Sequence, residues 1–434
     1  MGIDSEVLQL TGPCDRGLST SDASDVRSAH KRTEFGVIPE DWRLLPVRRM
    51  GEVLTGKALA VNAPGQQRPY LRTKNVFDGR IDIEDVLTMP MTDAQFQQFR
   101  IIPGDVLLNE GQSLELVGRC AMYRGEYPEP CAIQNQLLRF RARAGVSAEF
   151  SAHLFRYCQQ TGVFARIALQ TTSIAHLGGT RFERLLLPWP ENEQEQRTIA
   201  EALSNADQLI EALGRLIAKK RAIKLATTQQ LLTGKTRLPG FIGKWKTRKI
   251  ADIANPYVER NSSAVELPVL TCSKHLGFVD SLRYFKNQVF SKDLSGYKLI
   301  RRGQLGYPSN HVEEGSIGLQ DLYDIALVSP IYVVFAPVEG VNSFFLHSLL
   351  KLDSYRQKFA TATNSSVDRR GSLKWYAFSQ ISVTMPPTDE QAAIAAVLSD
   401  MDDDIAAFER RREKTKAIKQ GMMQQLLTGR TRLV

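Results

Sequence analysis

The sequence predicts an α+β protein built by internal duplication: two similar mixed α/β segments of about 150 residues, each followed by one long helix. Three observations carry this expectation. Residues 229–238, QQLLTGKTRL, recur as residues 424–433, QQLLTGRTRL, with only Lys235 against Arg430 differing. Upstream of both phrases, apolar residues recur at spacings of four and three. The segments before those stretches share a frame of strand-like and helix-like runs.

The offset between the copies is 195 residues, and the match runs without a gap back to Glu195 against Glu390. Over those 44 positions 23 are identical, among them Ile199/Ile394, Leu203/Leu398, Asp207/Asp402, Ile210/Ile405, Lys219/Lys414 and Ile223/Ile418. A period that long excludes a solenoid and points to two copies of a domain-plus-helix unit.

Residues 1–34 are rich in Ser, Asp, Thr and Arg without periodicity and read as a disordered tail. The first domain is expected over 35–190, its helix over 191–238, the second domain over 239–387 and its helix over 388–434. The openings PEDWRLLPVRRMGEV and GKWKTRKIADIA correspond at Trp42 and Trp245. FRIIPGDVLLN matches YKLIRRGQLGYPS, and CAIQNQLLRFRA matches IALVSPIYVVFA; both pairs read as buried strands. FSAHLFRYCQQ and FFLHSLLKLDSY each read as a short helix. In the long helices Ile199, Leu203, Ala206, Ile210, Leu213 and Ile217, and then Ile394, Leu398, Met401, Ile405 and Phe408, form the narrow seam of a coiled coil. Prolines before an acidic first turn start each helix (PWPEN, MPPTD), and Gly234 and Gly429 stop them. The 40 residues from Glu193–Leu232 would span roughly 60 Å at 1.5 Å per residue.

Composition narrows the class. The net charge is +9 with a pI near 9.2, which suits a nucleic-acid partner without requiring one. No apolar run reaches membrane-span length, and the N-terminus lacks a signal-peptide core. Cys14, Cys120, Cys131, Cys158 and Cys272 form no C-x-x-C pair, which argues against zinc and disulfides and for a reducing cytoplasm. There is no phosphate-binding G-x-x-x-x-G-K-[ST] loop, no H-E-x-x-H and no G-x-S-x-G. NPYVER at 255–260 is half of an N-P-P-Y methyltransferase signature, lacks the second proline and reads as a loop after a short helix. Asp402, Asp403 and Asp404 read as dipole-complementing residues in the first turns of the second long helix. His153 and His347 fall on apolar helix faces and read as core.

This arrangement of variable segment, long helix, variable segment, long helix resembles the specificity (S) subunits of type I restriction-modification systems. The resemblance covers nearly all of the chain after the tail. Its most specific parts are the helix entries PENEQEQ and PPTDEQ, the exit QQLLTG, the opening GVIPEDW and the junction PGF…W at 239–245. The resemblance implies two target-recognition domains separated by two long helices packed as an antiparallel coiled coil, with pseudo-twofold symmetry. It also implies a non-catalytic chain that binds double-stranded DNA at a bipartite asymmetric site, one half-site per domain. Two methylation subunits would dock on the spacer helices and methylate adenine N6 after flipping the base, with restriction subunits as further partners. The chain itself would hold no cofactor or metal; S-adenosylmethionine, ATP and Mg would sit on the partners.

Base edges are read by Arg, Lys, Asn, Gln and Ser on loops. The candidate loops of the first domain are YLRTKNVFDG (Arg72, Lys74, Asn75), NEGQSLE (Gln112, Ser113) and QTTSIAHLGGTR (Thr171, Ser173, His176, Arg181). Those of the second are TCSKHLG (Ser273, Lys274, His275), YPSNHVEEG (Ser309, Asn310, His311) and TNSSVDRRGSLKW (Asn364, Ser365, Ser366, Arg369, Arg370, Lys374). They occur at matching places while their polar content differs, as two readers of different half-sites require. The competing readings are a DNA-independent coiled-coil scaffold, the specificity subunit of a methylation-only complex, and a self-contained enzyme, which the missing motifs disfavour.

Overall fold

A computed structural model describes residues 30–33, 35–60, 62–170, 173–310, 312–364 and 372–433. The chain divides into two compact units, one of residues up to Gln208 together with those from Lys416 onward, the other of Leu209–Thr415. Each long helix begins in one unit and ends in the other.

The first unit is built on an antiparallel sheet in the order Gly51–Thr55, Leu137–Ala142, Val106–Asn109, Cys120–Met122. Its third strand, VLLN, is buried throughout, while the second, LLRFRA, is buried over its first four residues and alternates apolar residues with Arg139 and Arg141. Alternation survives in the packing, because successive side chains leave opposite faces of a strand. Val106, Leu108, Leu138 and Phe140 join one core, and Leu107 and Leu137 the other. Over the first face lies the helix Ala148–Gln160, started by Ser147, whose hydroxyl accepts the Phe150 amide at 3.2 Å. Phe155 on this helix meets Phe140 and Phe182 edge-on, with ring centres 5.0 and 5.1 Å apart. The other face is covered by the sheet Ala132–Ile133, Gln66–Leu71, Leu87–Met91.

The second unit repeats the order: Ala254–Tyr257, Tyr332–Pro337, Leu305–Pro308, Gly318–Leu319. Leu305, Tyr307 and Phe335 face one core, and Tyr332 and Val334 the other. Each unit also carries an antiparallel strand pair at its entry, Arg43–Pro46 with Leu186–Trp189 in the first and Lys246–Lys249 with Ser382–Met385 in the second.

The long helices are Glu193–Leu232 and Thr388–Leu426. In the first unit Ile199 and Leu203 bury with Met423, Leu426 and Leu427. In the second, Ile394 and Leu398 bury with Leu231 and Leu232. Of the expected seam, Leu213, Ile217 and Ile405 are also buried, while Ala206, Ile210, Met401 and Phe408 are half-buried. The helices run antiparallel within the second unit, where Lys220 pairs with Asp404 and Lys224 with Asp402.

The repeated phrase has a mechanical role in this packing. Gly234 and Gly429 both end their helices at φ +69°, the left-handed conformation that favours glycine. Two residues further, Thr236 donates its amide to Gln230 at 3.3 Å and Thr431 to Gln425 at 3.1 Å. This turn aims Arg237 at the buried Glu390 and Arg432 at the buried Glu195, each through two guanidinium nitrogens. Trp245 and Trp42 lie under those guanidiniums at 5.8 and 6.0 Å. The exit of each helix therefore clamps the entry of the other. Gln196 and Gln391 complete the joint. Gln196 accepts the Ser147 amide at 2.9 Å and donates to the Pro190 carbonyl at 2.9 Å. Gln391 does the same for Asn342 and Pro386, at 3.0 and 2.9 Å.

Four expectations need correction. His30–Thr33, at the end of the supposed tail, is a strand paired with Gly36–Pro39; residues 1–29 and 34 lie outside the described residues. Residues 254–257, in the NPYVER stretch, form a sheet strand rather than a loop, because Pro256 sits on an edge strand where its missing N–H costs nothing. The FFLHSLLKLDSY segment is two helices, Ser343–Leu350 and the start of Asp353–Asn364. The acidic run at 402–404 lies well inside the second long helix, where Asp402 and Asp404 serve as ion-pair partners of the first rather than as dipole complements.

Among the described residues no helix is long and apolar enough to cross a membrane, and no cluster of His, Cys, Asp and Glu could hold a metal ion. Cys120, Cys131 and Cys158 are buried free thiols and Cys272 is half-buried.

Candidate nucleic-acid interface

In the first unit the three candidate loops meet. The strand Gly111–Gln112, from the second loop, pairs with Ala175–His176 from the third, which pairs in turn with Leu169–Gln170. The first loop joins them through Asn109, whose side-chain amide donates to the Val76 carbonyl at 3.2 Å. Glu110 fastens the third loop: its carboxylate accepts the Gly178 amide at 3.2 Å and lies 3.0 Å from His176 Nδ1. Gly111 leaves space at this junction for Gln136, whose side-chain oxygen would lie 2.2 Å from a Cβ there and would have to move aside.

The candidates have different environments within this cluster. Lys74 and Ser113 are exposed, as is Ser173; Gln112 is half-buried. Arg72 and Lys74 both reach Asp85 at 2.7 Å, so each carries a carboxylate that a phosphate would have to displace or join. Asn75 is buried and fully engaged: its oxygen accepts the Arg72 amide, and its nitrogen donates to the Asp82 and Asp85 carbonyls. Arg181 folds back onto the carbonyls of Leu177 and His176 at 3.0 and 2.7 Å. In this conformation Asn75 and Arg181 shape the loops rather than present themselves. Thr171 lies outside the described residues.

In the second unit, the turn after Leu270–Ser273 presents Lys274 and His275 to solvent, with Ser273 half-buried at its base. Lys351 ties that turn down, donating to the carbonyls of Lys274 at 2.7 Å and Gly315 at 3.0 Å. Ser309 is half-buried and accepts the Leu373 amide at 2.7 Å, which brings exposed Asn310 near exposed Lys374 at the start of the helix Trp375–Ser379. Asn364 ends the helix Asp353–Asn364. His311, Ser365, Ser366, Arg369 and Arg370 lie outside the described residues.

Sequence reasoning missed the exposed apolar and aromatic residues of these surfaces. Leu114, Leu169 and Ile174 are 41%, 59% and 47% exposed around the first cluster, and Tyr376 is 81% exposed two residues after Lys374. Apolar side chains contact thymine methyls and aromatic rings stack on bases. An aromatic beside a lysine was a usable signal for Tyr376; the leucines carry none that separates them from core. His153 is buried, with Nε2 3.0 Å from the Ser204 hydroxyl, and burial pushes its imidazole down to about 3. His347 is likewise pushed down to about 4 by burial.

These features define a class: a duplicated protein whose units each gather polar loops into one cluster and are joined by mutually clamped long helices. No protein-family model matches the sequence. It is 26% identical over 447 aligned positions to a chain of Methanocaldococcus jannaschii provisionally named as the type I restriction enzyme MjaX specificity subunit, covering 93% of this chain and 96% of that one. It is 23% identical to the type I restriction enzyme MjaVIII specificity subunit of the same organism, covering 91% and 94%. The fold is that of the S subunit of a type I restriction-modification system from M. genitalium (TM-score 0.51, 14% identity, 89% and 96% covered). It is also that of the HsdS subunit from Thermoanaerobacter tengcongensis (TM-score 0.51, 17% identity, 90% and 98% covered). A chain from a study of complex assembly and conformational transition of the type I R-M system aligns similarly (TM-score 0.53, 16% identity, 90% and 99% covered). The chain is thus similar in sequence to named type I specificity subunits, and shares their fold, along nearly its whole length.

Proposed function

We propose that this chain is the DNA-reading subunit of a type I complex and is not itself catalytic. Each unit reads one half of a bipartite, asymmetric double-stranded site in the major groove. The long helices dock the methylation subunits, which carry S-adenosylmethionine and modify adenine N6; restriction subunits carry ATP and Mg chemistry. The observation that carries this reading is the duplication itself. Two copies of one sheet order bear loop clusters of different polar content, as two different half-sites demand. The net charge of +9 favours a polyanion. Leu209, Ile223, Leu225 and Ile418, 40–73% exposed on the long helices, offer apolar contacts to a docking partner.

The test is binding by the chain assembled with its methylation subunits. A reader making 6–10 phosphate contacts should lose about 10³–10⁵ in affinity between 50 and 200 mM salt. A map of N6-methyladenine with and without the gene should lose one bipartite motif on both strands. Assembly without DNA binding at any salt would mark a scaffold instead.

A further inference from the structure

One chain of ion pairs in the first unit runs from a candidate DNA loop into the long helices. Asp78 belongs to the first loop. Arg156, on the helix Ala148–Gln160, reaches it through Nε at 2.8 Å and Nη2 at 3.3 Å. The same guanidinium donates through Nη1 to Asp207 of the first long helix at 2.8 Å. Lys419 of the second long helix closes the chain on Asp207 at 2.6 and 2.7 Å. The Arg156 side chain is 12% exposed, while those of Asp78 and Asp207 are 45% and 35% exposed, so the guanidinium lies inside the unit and its two carboxylates reach the surface. A planar fork is pre-organised to hold two carboxylates on two elements in fixed directions. Gly79 makes room for it: a Cβ there would lie 2.8 Å from the guanidinium carbon.

The second unit keeps half of this device. Lys224 and Asp402 stand 195 residues from Lys419 and Asp207, in opposite senses, and pair as they do. Lys351 stands 195 residues after Arg156 but binds the carbonyls of Lys274 and Gly315. Where the first unit is bridged, the second has a cavity of about 1070 Å³ lined by Lys224, His275, His347, Lys351 and Asp402.

We propose that Arg156 is a positioning residue that fixes the first unit's DNA-reading loops against the long helices, a tie for which Lys351, at the matching place in the second unit, is not used. Asn75 and Asn109 then pass the position of Asp78 to Lys74 and to the strand bearing Gln112. The proposal rests on the DNA-reading function above.

The test uses the full chain in its methylation complex. Affinities are measured for the cognate duplex and for duplexes scrambled in one half-site at a time. The half-site of the first unit is the one whose discrimination falls in a Gln112→Ala, Ser113→Ala chain. Arg156→Leu should lower discrimination at that half-site about tenfold, within the range of coupled sites, and leave the other within about twofold. Arg156→Lys, which keeps the charge but lacks the fixed directions of the planar fork, should fall between. Asp78→Asn probes the same link from the loop and serves if Arg156→Leu does not fold. Equal losses at both half-sites, or none at either in a folded chain, would overturn the proposal. A wild-type complex without any sequence discrimination would overturn the functional reading beneath it.

Discussion

At the scale of single residues, two side chains make the sharpest claims. Gln196 is buried and satisfies both the Ser147 amide and the Pro190 carbonyl. Gln196→Ala strands both groups and should cost about 1–3 kcal/mol, read as a lowered denaturation midpoint at unchanged slope. Gln391→Ala should act alike, and a neutral result in both would remove the joint from the stability account. His153 is held neutral by burial, helped by the positive charge of Arg156 and Lys419. Its folded value, about 3, lies far below the unfolded one near 6.5. As pH falls below about 6.5 the unfolded chain binds a proton that the folded chain refuses, so stability is lost. At pH 5 the loss is about 2 kcal/mol from this group. Thermal melts from pH 7.5 to 5 should show it, and His153→Gln should flatten the slope; an undiminished slope would assign it elsewhere. The sequence marked His153 as core by its apolar face, but it could not show that Asn75 and Arg181 turn inward, since loop side chains follow partners distant in sequence.

At the scale of elements, the two helix exits look alike in sequence and differ in surroundings. Both glycines sit at φ +69°, where a side chain costs roughly 1–2 kcal/mol. A Cβ on Gly234 would make ordinary contact with Trp245 at 3.5 Å, whereas one on Gly429 would lie 2.3 Å from the Pro39 ring. Gly429→Ala should therefore lower the melting temperature clearly more than Gly234→Ala; equal effects would mean that the Pro39 turn yields freely. Helix existence, seam and stops were legible because periodicity and glycine placement are local signals. The small strands at 111–112, 169–170 and 175–176 were not. Two-residue strands carry no period, and their pairing joins segments about sixty residues apart.

At the scale of the whole molecule, the duplication was legible and the ion pairs between elements were not. Identity at 23 of 44 positions announces a repeat, but not that Arg237 answers Glu390 and Arg432 answers Glu195. Matching entry strand pairs frame both variable segments, so residues 246–385 should graft in place of 43–189. The chimera is expected to fold and to direct methylation to a target whose two halves are the same sequence; methylation of the original asymmetric motif would refute interchangeability. The division of the chain has one more consequence, for synthesis on the ribosome. The second unit is contiguous and can complete its core as soon as residue 415 has emerged. The first unit's core needs Met423, Leu426 and Leu427, so residues up to 208 must wait, unsealed, until residues 423–427 have been made. Premature termination shortly after residue 415 would thus leave a sound second unit and disable the first.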